Sequence, residues 1–196
     1  MPELFEPKVT STEELASSNA KWISLKKLHY TDQEGRSRVW ECAERRTRGA
    51  SGVDAVSILV LLKSKTNAFP LSTVIIEQFR PPAGKYVIGL IDKDETPEQA
   101  AIRELEEETG YKADSIAESS PVTVADPGMT TANMKLVVAN VLLDDKLETP
   151  DSKLDDGEFI VKRVVALDQL HDELINSRLS HLASGYNLAQ RIAKGL

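Results

Sequence analysis

The sequence predicts an α+β fold, a mixed α/β sandwich with a small antiparallel β-element at its N-terminus. Three observations predict it. Segments rich in Val, Ile and Leu recur at strand length along the chain. One strongly marked helix interrupts them, and two further helical patterns close the chain. The strands do not alternate regularly with helices, which argues against a βαβ series. At 196 residues the chain suits one globular domain with an appended element and can bury a real core. We divide it into an arm and β-element over 1–50 and a main domain over 51–196.

Residues 1–20 are polar and loosely patterned, an arm or a short helix around 11–17. Strands are expected at 21–30 and 36–45, joined by Thr31-Asp32-Gln33-Glu34-Gly35, which has the Asp and Gly chemistry of a hairpin turn. Buried strands follow at 55–63 and 73–79. Arg80-Pro81-Pro82-Ala83-Gly84 breaks the pattern before a short strand at 85–88. The stretch 96–109 reads as a helix marked at both ends. Thr96 is its N-cap, Pro97 takes the first helical position, Gln99 completes a capping box and Gly110 suits a left-handed C-terminal cap. Strands are expected again at 121–124, 135–143 and 158–166, then helices at 168–176 and 185–194.

Composition excludes several classes. Net charge is −7 with a pI of about 5.1, so the broad cationic surface of a nucleic-acid-binding protein is not expected. Cys42 is the only cysteine, which leaves no intrachain disulfide and no cysteine-based zinc site; a half-buried strand cysteine is the expectation. The first residues lack the apolar run of a secretory signal, and Val56-Ser57-Ile58-Leu59-Val60-Leu61-Leu62 is too short to span a bilayer. A cytoplasmic protein without a membrane partner is expected, with nucleus and mitochondrion left open. His29, His171 and His181 are scattered and show no metal-ligand spacing.

The charge is concentrated. Residues 89–111 hold eight acids and two bases, a local −6. On a helical wheel with Ala100 at zero, Ala101, Ile102, Leu105 and Thr109 cluster between about 100° and 200° as a core stripe. Glu104, Glu108 and Glu107 share another arc of about 100°, whereas Glu106 falls on the far, solvated side. Arg103 neighbours Glu107 at i, i+4 and can hold its carboxylate. Like charges at Glu104 and Glu108 repel, and they stand toward the helix C-terminus, where the dipole disfavours anions. A hard divalent cation, Mg²⁺ or Mn²⁺, would remove that repulsion.

Gly89, Glu95, Arg103, Glu104, Leu105, Glu107, Glu108 and Gly110 fit G-x5-E-x7-R-E-U-x-E-E-x-G-U, where U is a bulky aliphatic residue; only Tyr111 departs, at the last position. This resembles the Nudix box. Trp22, Val39-Trp40-Glu41, Arg45-Arg46-Thr47-Arg48, Gln78-Phe79-Arg80-Pro81-Pro82, Gly89-Leu90-Ile91-Asp92, Asp126-Pro127-Gly128 and Gly157-Glu158-Phe159 extend the likeness to the eukaryotic ADP-ribose pyrophosphatases. The resemblance implies a Nudix α/β/α sandwich and a homodimer formed by exchange of the N-terminal β-element. It also implies divalent-metal-dependent hydrolysis of ADP-ribose or a related ADP-sugar, giving AMP and ribose 5-phosphate. Glu104 and Glu108 would be metal ligands, and Glu107 a further ligand or an orienting group. Arg103 would support them, and Glu158 would deprotonate or order the attacking water. Trp22 and Trp40 would sandwich the base, with Glu41, Arg45 and Arg80 also on the substrate; the alternative for both tryptophans is a place in a strand core. Residues 21–49 carry eight bases and four acids, and this +4 region could hold an anionic ligand.

Ahead of the box the chain departs from the family. Relatives read Glu-x-Pro-Ala-Gly there, and this chain reads Lys85-Tyr86-Val87-Ile88-Gly89, as though four residues were missing. The family's Ala offers its backbone carbonyl to a metal, and Ile88 now occupies that slot. Four residues are worth ~13 Å of strand. A second expectation follows: a catalytically impaired Nudix fold that binds a nucleotide or a protein partner.

Overall fold

The computed structural model describes residues 6–83, 85–87, 95–154, 157–170 and 172–173. Its first element is a hairpin of β1 (Ile23–Thr31) and β2 (Ser37–Arg45), paired antiparallel from Ile23↔Arg45 to Thr31↔Ser37. The turn closes on one side chain. Asp32 accepts from the backbone N–H of Glu34 (3.0 Å) and Arg36 (2.9 Å) and from Arg38 Nε (2.8 Å). Those donors, led by the Arg36 amide, hold its carboxyl below the ordinary value. Gly35, at φ 78°, takes the left-handed position that the turn requires.

The second sheet comprises β3 (Ala55–Ser64), β4 (Ser72–Arg80), β5 (Lys85–Val87), β6 (Ser115–Ser119), β7 (Thr123–Val124), β8 (Asn133–Leu143) and β9 (Val161–Ala166). Strands β3 and β8 run parallel over ten pairs, from Ala55↔Met134 to Ser64↔Leu143. All other pairings are antiparallel: β6 and β7 on β8, and β3, β5 and β9 on β4. The sheet is therefore mixed, as expected.

Alternation along the strands sorts side chains to two faces. One face sends Val56, Ile58, Val60 and Leu62 of β3 and Val137, Ala139 and Val141 of β8 against helix α1 (Pro97–Thr109), where Leu105 and Ala101 meet them. On the other face Ile75 and Val165 pack with Leu170, where the chain turns helical after β9. Leu105 is 2% exposed, and truncating such a leucine costs about 2–5 kcal/mol.

Several expectations change. Ile102 is 41% exposed, whereas Ala100 is fully buried, so the core stripe is rotated toward Ala100 and away from Ile102. Residues 11–16 form no helix; only a 3-10 turn at Ser17–Asn19 precedes the hairpin. Strand β6, unmarked in the sequence, pairs with β8 through a bulge between Ile116 and Glu118. That irregularity, together with its exposed polar residues, hides the strand alternation. The helix expected at 185–194, and residues 171 and 174–176 of that expected at 168–176, lie outside the described residues. Cys42 is buried rather than half-buried.

Candidate active site

Local sequence builds helix α1 as expected. The Thr96 side chain accepts from the Gln99 N–H (3.2 Å) and Gln99 Oε1 from the Thr96 N–H (3.1 Å), and Gly110 adopts φ 79°. A Cβ at Gly110 would also collide with the carbonyl of Asp151, so glycine is needed for space as well as for φ. Tyr111, the departure from the box, is 2% exposed. Its ring fills the core and its hydroxyl donates to the Glu148 carbonyl, so the larger residue is accommodated rather than tolerated at the surface.

Burial of both Ala100 and Ala101 has a consequence for the acids. Glu104 and Glu108 fall between these two alanines on the wheel, at about 40° and 80°, inside the buried half of the helix. The Glu104 side chain is 14% exposed, and Glu108 is half-buried. Arg103 gathers the cluster. Its Nε donates to both oxygens of Glu95 (3.1 and 3.0 Å), and its Nη1 lies 3.0 Å from Glu104 and 2.7 Å from Glu107. Burial works against the Arg103 charge, but these three carboxylates outweigh it and hold its pKa above the ordinary value. Glu106 does lie apart from the other acids, as expected. It is not simply solvated, for Lys153 (2.6 Å) and Lys112 (3.5 Å) pair with it.

Glu108 departs in direction from Asp32, Asp54, Glu98 and Glu106, whose carboxyls are all held below the ordinary value. Burial, then the neighbouring carboxylates of Glu104 and Glu158, push it up to about 7, with Arg80 opposing. These groups come from three places: α1, the end of β4 and the loop before β9. A half-buried acid raised by other acids marks a site short of positive charge. Among the described residues no three carboxylates are already drawn together as an ion cage, since Glu104 and Glu107 turn to Arg103. The oxygen-only donor set and the uncompensated charge nevertheless suit a hard divalent cation. Ile88 lies outside the described residues.

Of the expected substrate residues, Trp22, Trp40, Glu41 and Arg45 stand on the N-terminal element, whereas Arg80 ends β4. Trp22 is 69% and Trp40 48% exposed, which overturns a strand-core role for either. Trp40 Nε1 donates to the Gly128 carbonyl (3.0 Å), tying it to the Asp126-Pro127-Gly128 loop. Backbone bonds from Ala43 N to Met129 O (2.8 Å) and from Thr131 N to Ala43 O (3.0 Å) dock β2 on the same loop. Glu41 is exposed on β2, opposite Lys27. Four of the eight bases in the basic region are ion-paired among the described residues. Lys26 meets Glu44, Arg36 meets Glu34, Arg38 meets Asp32, and Arg48 holds Asp54 through Nε (2.9 Å) and Nη2 (2.6 Å). Arg48 is thereby a structural clasp, also bonded to the Thr131 carbonyl (2.6 Å). Arg45 and Arg80 form no ion pair among the described residues, which leaves them suited to an anionic ligand.

Sequence reasoning missed Lys162 and Ser152. Lys162 Nζ donates to the carbonyls of Thr109 (3.0 Å) and Pro150 and lies 3.1 Å from Ser152 Oγ. The available signal was alternation in β9, where Lys162 occupies an inward position like that of Val164.

Comparison with known proteins places this geometry. The NUDIX domain pattern matches residues 52–183. An uncharacterised Nudix hydrolase of Schizosaccharomyces pombe is 41% identical over 194 residues, covering 92% of this chain and 93% of the relative. The ADP-ribose pyrophosphatase of Saccharomyces cerevisiae is 39% identical, covering 92% and 79%. The ADP-sugar pyrophosphatase of Mus musculus is 38% identical, covering 78% and 70%. A solved structure described as an ADP compounds hydrolase superposes with a TM-score of 0.61 at 19% identity, covering 100% of this chain and 98% of its own, and so shares the fold. With its box on α1, its mixed sheet and these relatives, the chain belongs to the Nudix family.

Proposed function

We propose that this protein hydrolyses the pyrophosphate of ADP-ribose, or of a related ADP-sugar, to AMP and ribose 5-phosphate. The observation that carries the reading is the convergence on Glu108 of Glu104, Glu107, Glu158 and Arg80. Relatives named ADP-ribose and ADP-sugar pyrophosphatase support the choice of substrate.

Glu104, Glu108 and Glu107 would hold Mg²⁺ or Mn²⁺, which when bound supplies charge neutralisation on the pyrophosphate oxygens and a more acidic water. Arg103 keeps Glu104 and Glu107 in place through its 3.0 and 2.7 Å contacts. Arg80 offers its guanidinium to the substrate's phosphates. Glu158 takes or orients a proton of the attacking water. Trp22 and Trp40 offer exposed aromatic faces for the adenine, and Glu41 and Arg45 polar contacts beside them.

The hairpin's exposed apolar residues, Trp22, Leu25, Val39 and Trp40 among them, support a homodimer that covers this element. The start of the domain match at residue 52 supports a division into a binding and dimerisation element over 1–50 and a hydrolase domain over 51–196. A cytoplasmic location fits a chain with a single buried cysteine. Among the described residues no helix is long and apolar enough to cross a membrane.

Incubation with ADP-ribose and Mg²⁺ followed by AMP measurement tests the reading. Release well above that of Glu108→Gln supports it, and release equal to that variant's overturns it. The sequence ahead of the box, Lys85-Tyr86-Val87-Ile88-Gly89 where relatives read Glu-x-Pro-Ala-Gly, favours a second reading, a Nudix fold impaired in catalysis that binds a nucleotide or a protein partner. ADP-ribose binding without AMP release would establish that one instead.

A further inference from the structure

The last four carbonyls of an α-helix have no partner within the helix. In α1 all four are satisfied, three of them by chain distant in sequence. The Gly110 N–H donates to Glu106 O (2.8 Å) and the Lys153 N–H to Glu107 O (2.6 Å). Ser152 Oγ donates to Glu108 O (2.7 Å) and Lys162 Nζ to Thr109 O (3.0 Å). Lys162 also donates to Pro150 O and contacts Ser152 Oγ, so its ammonium ties helix, loop and strand together. Glu158 lies on the stretch between these two anchor points, Lys153 and Lys162.

The choice of residue is informative. Lys162 points inward from β9 beside Val164, where an apolar side chain would pack without the cost of desolvating an ammonium. The charge instead stands at the C-terminal end of a helix that carries several carboxylates, where a cation complements the dipole. Two stems pinned to one helix end fix where the intervening chain leaves that helix and where it returns.

We propose that Lys162, with Ser152, is a positioning residue that clamps both stems of the Glu158 loop to the C-terminus of α1 and so sets Glu158 against Glu108. This rests on the reading that Glu158 takes part in hydrolysis. It acts through Glu158 and touches neither substrate nor metal.

The test combines Lys162→Met, Lys162→Arg and Ser152→Ala with Glu158→Gln. Lys162→Met is expected to lower kcat for ADP-ribose about tenfold or more with KM little changed, and Lys162→Arg to restore most of it. In the Glu158→Gln background Lys162→Met should cost no further kcat, although the drop in thermal midpoint stays the same in both backgrounds. In metal-free protein, hydrogen exchange at the Lys153 amide and across 157–160 should accelerate in Lys162→Met. Ser152→Ala, which removes one donor and keeps the lysine, should show the same changes in smaller measure and serves if Lys162→Met does not fold. Multiplicative losses of kcat in the double variant, or unchanged exchange, would overturn the clamp. A Glu158→Gln variant that keeps the wild-type kcat overturns it too, by removing the role of Glu158. A wild type that releases no AMP overturns the hydrolase reading alone, because the exchange measurement needs no substrate.

Discussion

The two ends of helix α1 put the same residue type to opposite uses. In the first turn Glu98 is held down at about 2, by the Ser119 hydroxyl first and then by Lys135, whose Nζ lies 3.0 Å from it. In the last turns Glu108 is pushed up to about 7, by burial and by other acids. Glu98 also enjoys the favourable end of the helix dipole, and Glu108 suffers the unfavourable one. One carboxylate anchors the helix to β6 and β8; the other is kept at a cost that Arg80 offsets only in part. The difference separates acids that stabilise the fold from acids that the fold must support.

Breaking the unfavourable end should have the largest effect. Glu108→Gln is expected to reduce AMP release on the order of 100-fold or more, measured as kcat/KM with ADP-ribose. The same change should stabilise the metal-free protein at pH 8. Its folded pKa, about 7, lies above the ordinary value of 4.5, so wild-type stability falls as pH rises from about 4.5 through 7. Thermal midpoints in chelator at pH 5.5 and 8 check the sign. A wild type that gains stability over that range relative to Glu108→Gln would contradict it.

Arg103 sharpens the comparison, because it is the cation that makes the acidic end tolerable. Arg103→Lys keeps the charge but cannot serve Glu95, Glu104 and Glu107 together. A loss of activity of about 10- to 100-fold is expected, with the larger part in kcat.

At the favourable end the effect should be on stability alone. Glu98→Gln is expected to cost about 1 kcal/mol at pH 7, allowing for solvent screening of a partly exposed pair, with kcat unchanged. Since the folded pKa is lowered, this contribution is present above about 4.5 and lost as pH falls toward about 2. Denaturant midpoints of the two proteins should therefore converge on acidification. Smallest of all, Tyr111→Phe should cost ~1 kcal/mol by removing the hydroxyl's bond to Glu148 O, and leave kinetics unchanged.

Much of this was legible from residue order. The capping box, the Gly110 cap and the Arg103–Glu107 pair involve residues within four positions of each other, and helix geometry alone brings them together. The hairpin was legible for the same reason, since Asp32 and Gly35 build their turn locally. Ile102 misled because a wheel gives angles and not the direction of the sheet; burial of Ala100 shows that the sheet lies on the other flank. The bases at 21–49 were read together as a +4 region for an anionic ligand, and the bidentate contact of Arg48 with Asp54 takes that residue out of the set.

By itself, then, the sequence determined the mixed α+β architecture, the marked helix, the family and the grouping of acids on one arc of that helix, because each is written in local spacing or in side-chain type. Tertiary structure alone decided which acids are satisfied and which are not. Glu98 meets Lys135 and Ser119, and the end of α1 meets Ser152, Lys153 and Lys162, only because the sheet brings distant chain to the helix. A carboxylate's pKa depends on what surrounds it, and surroundings assembled across 20 to 60 positions of chain follow no periodicity that could be read along it.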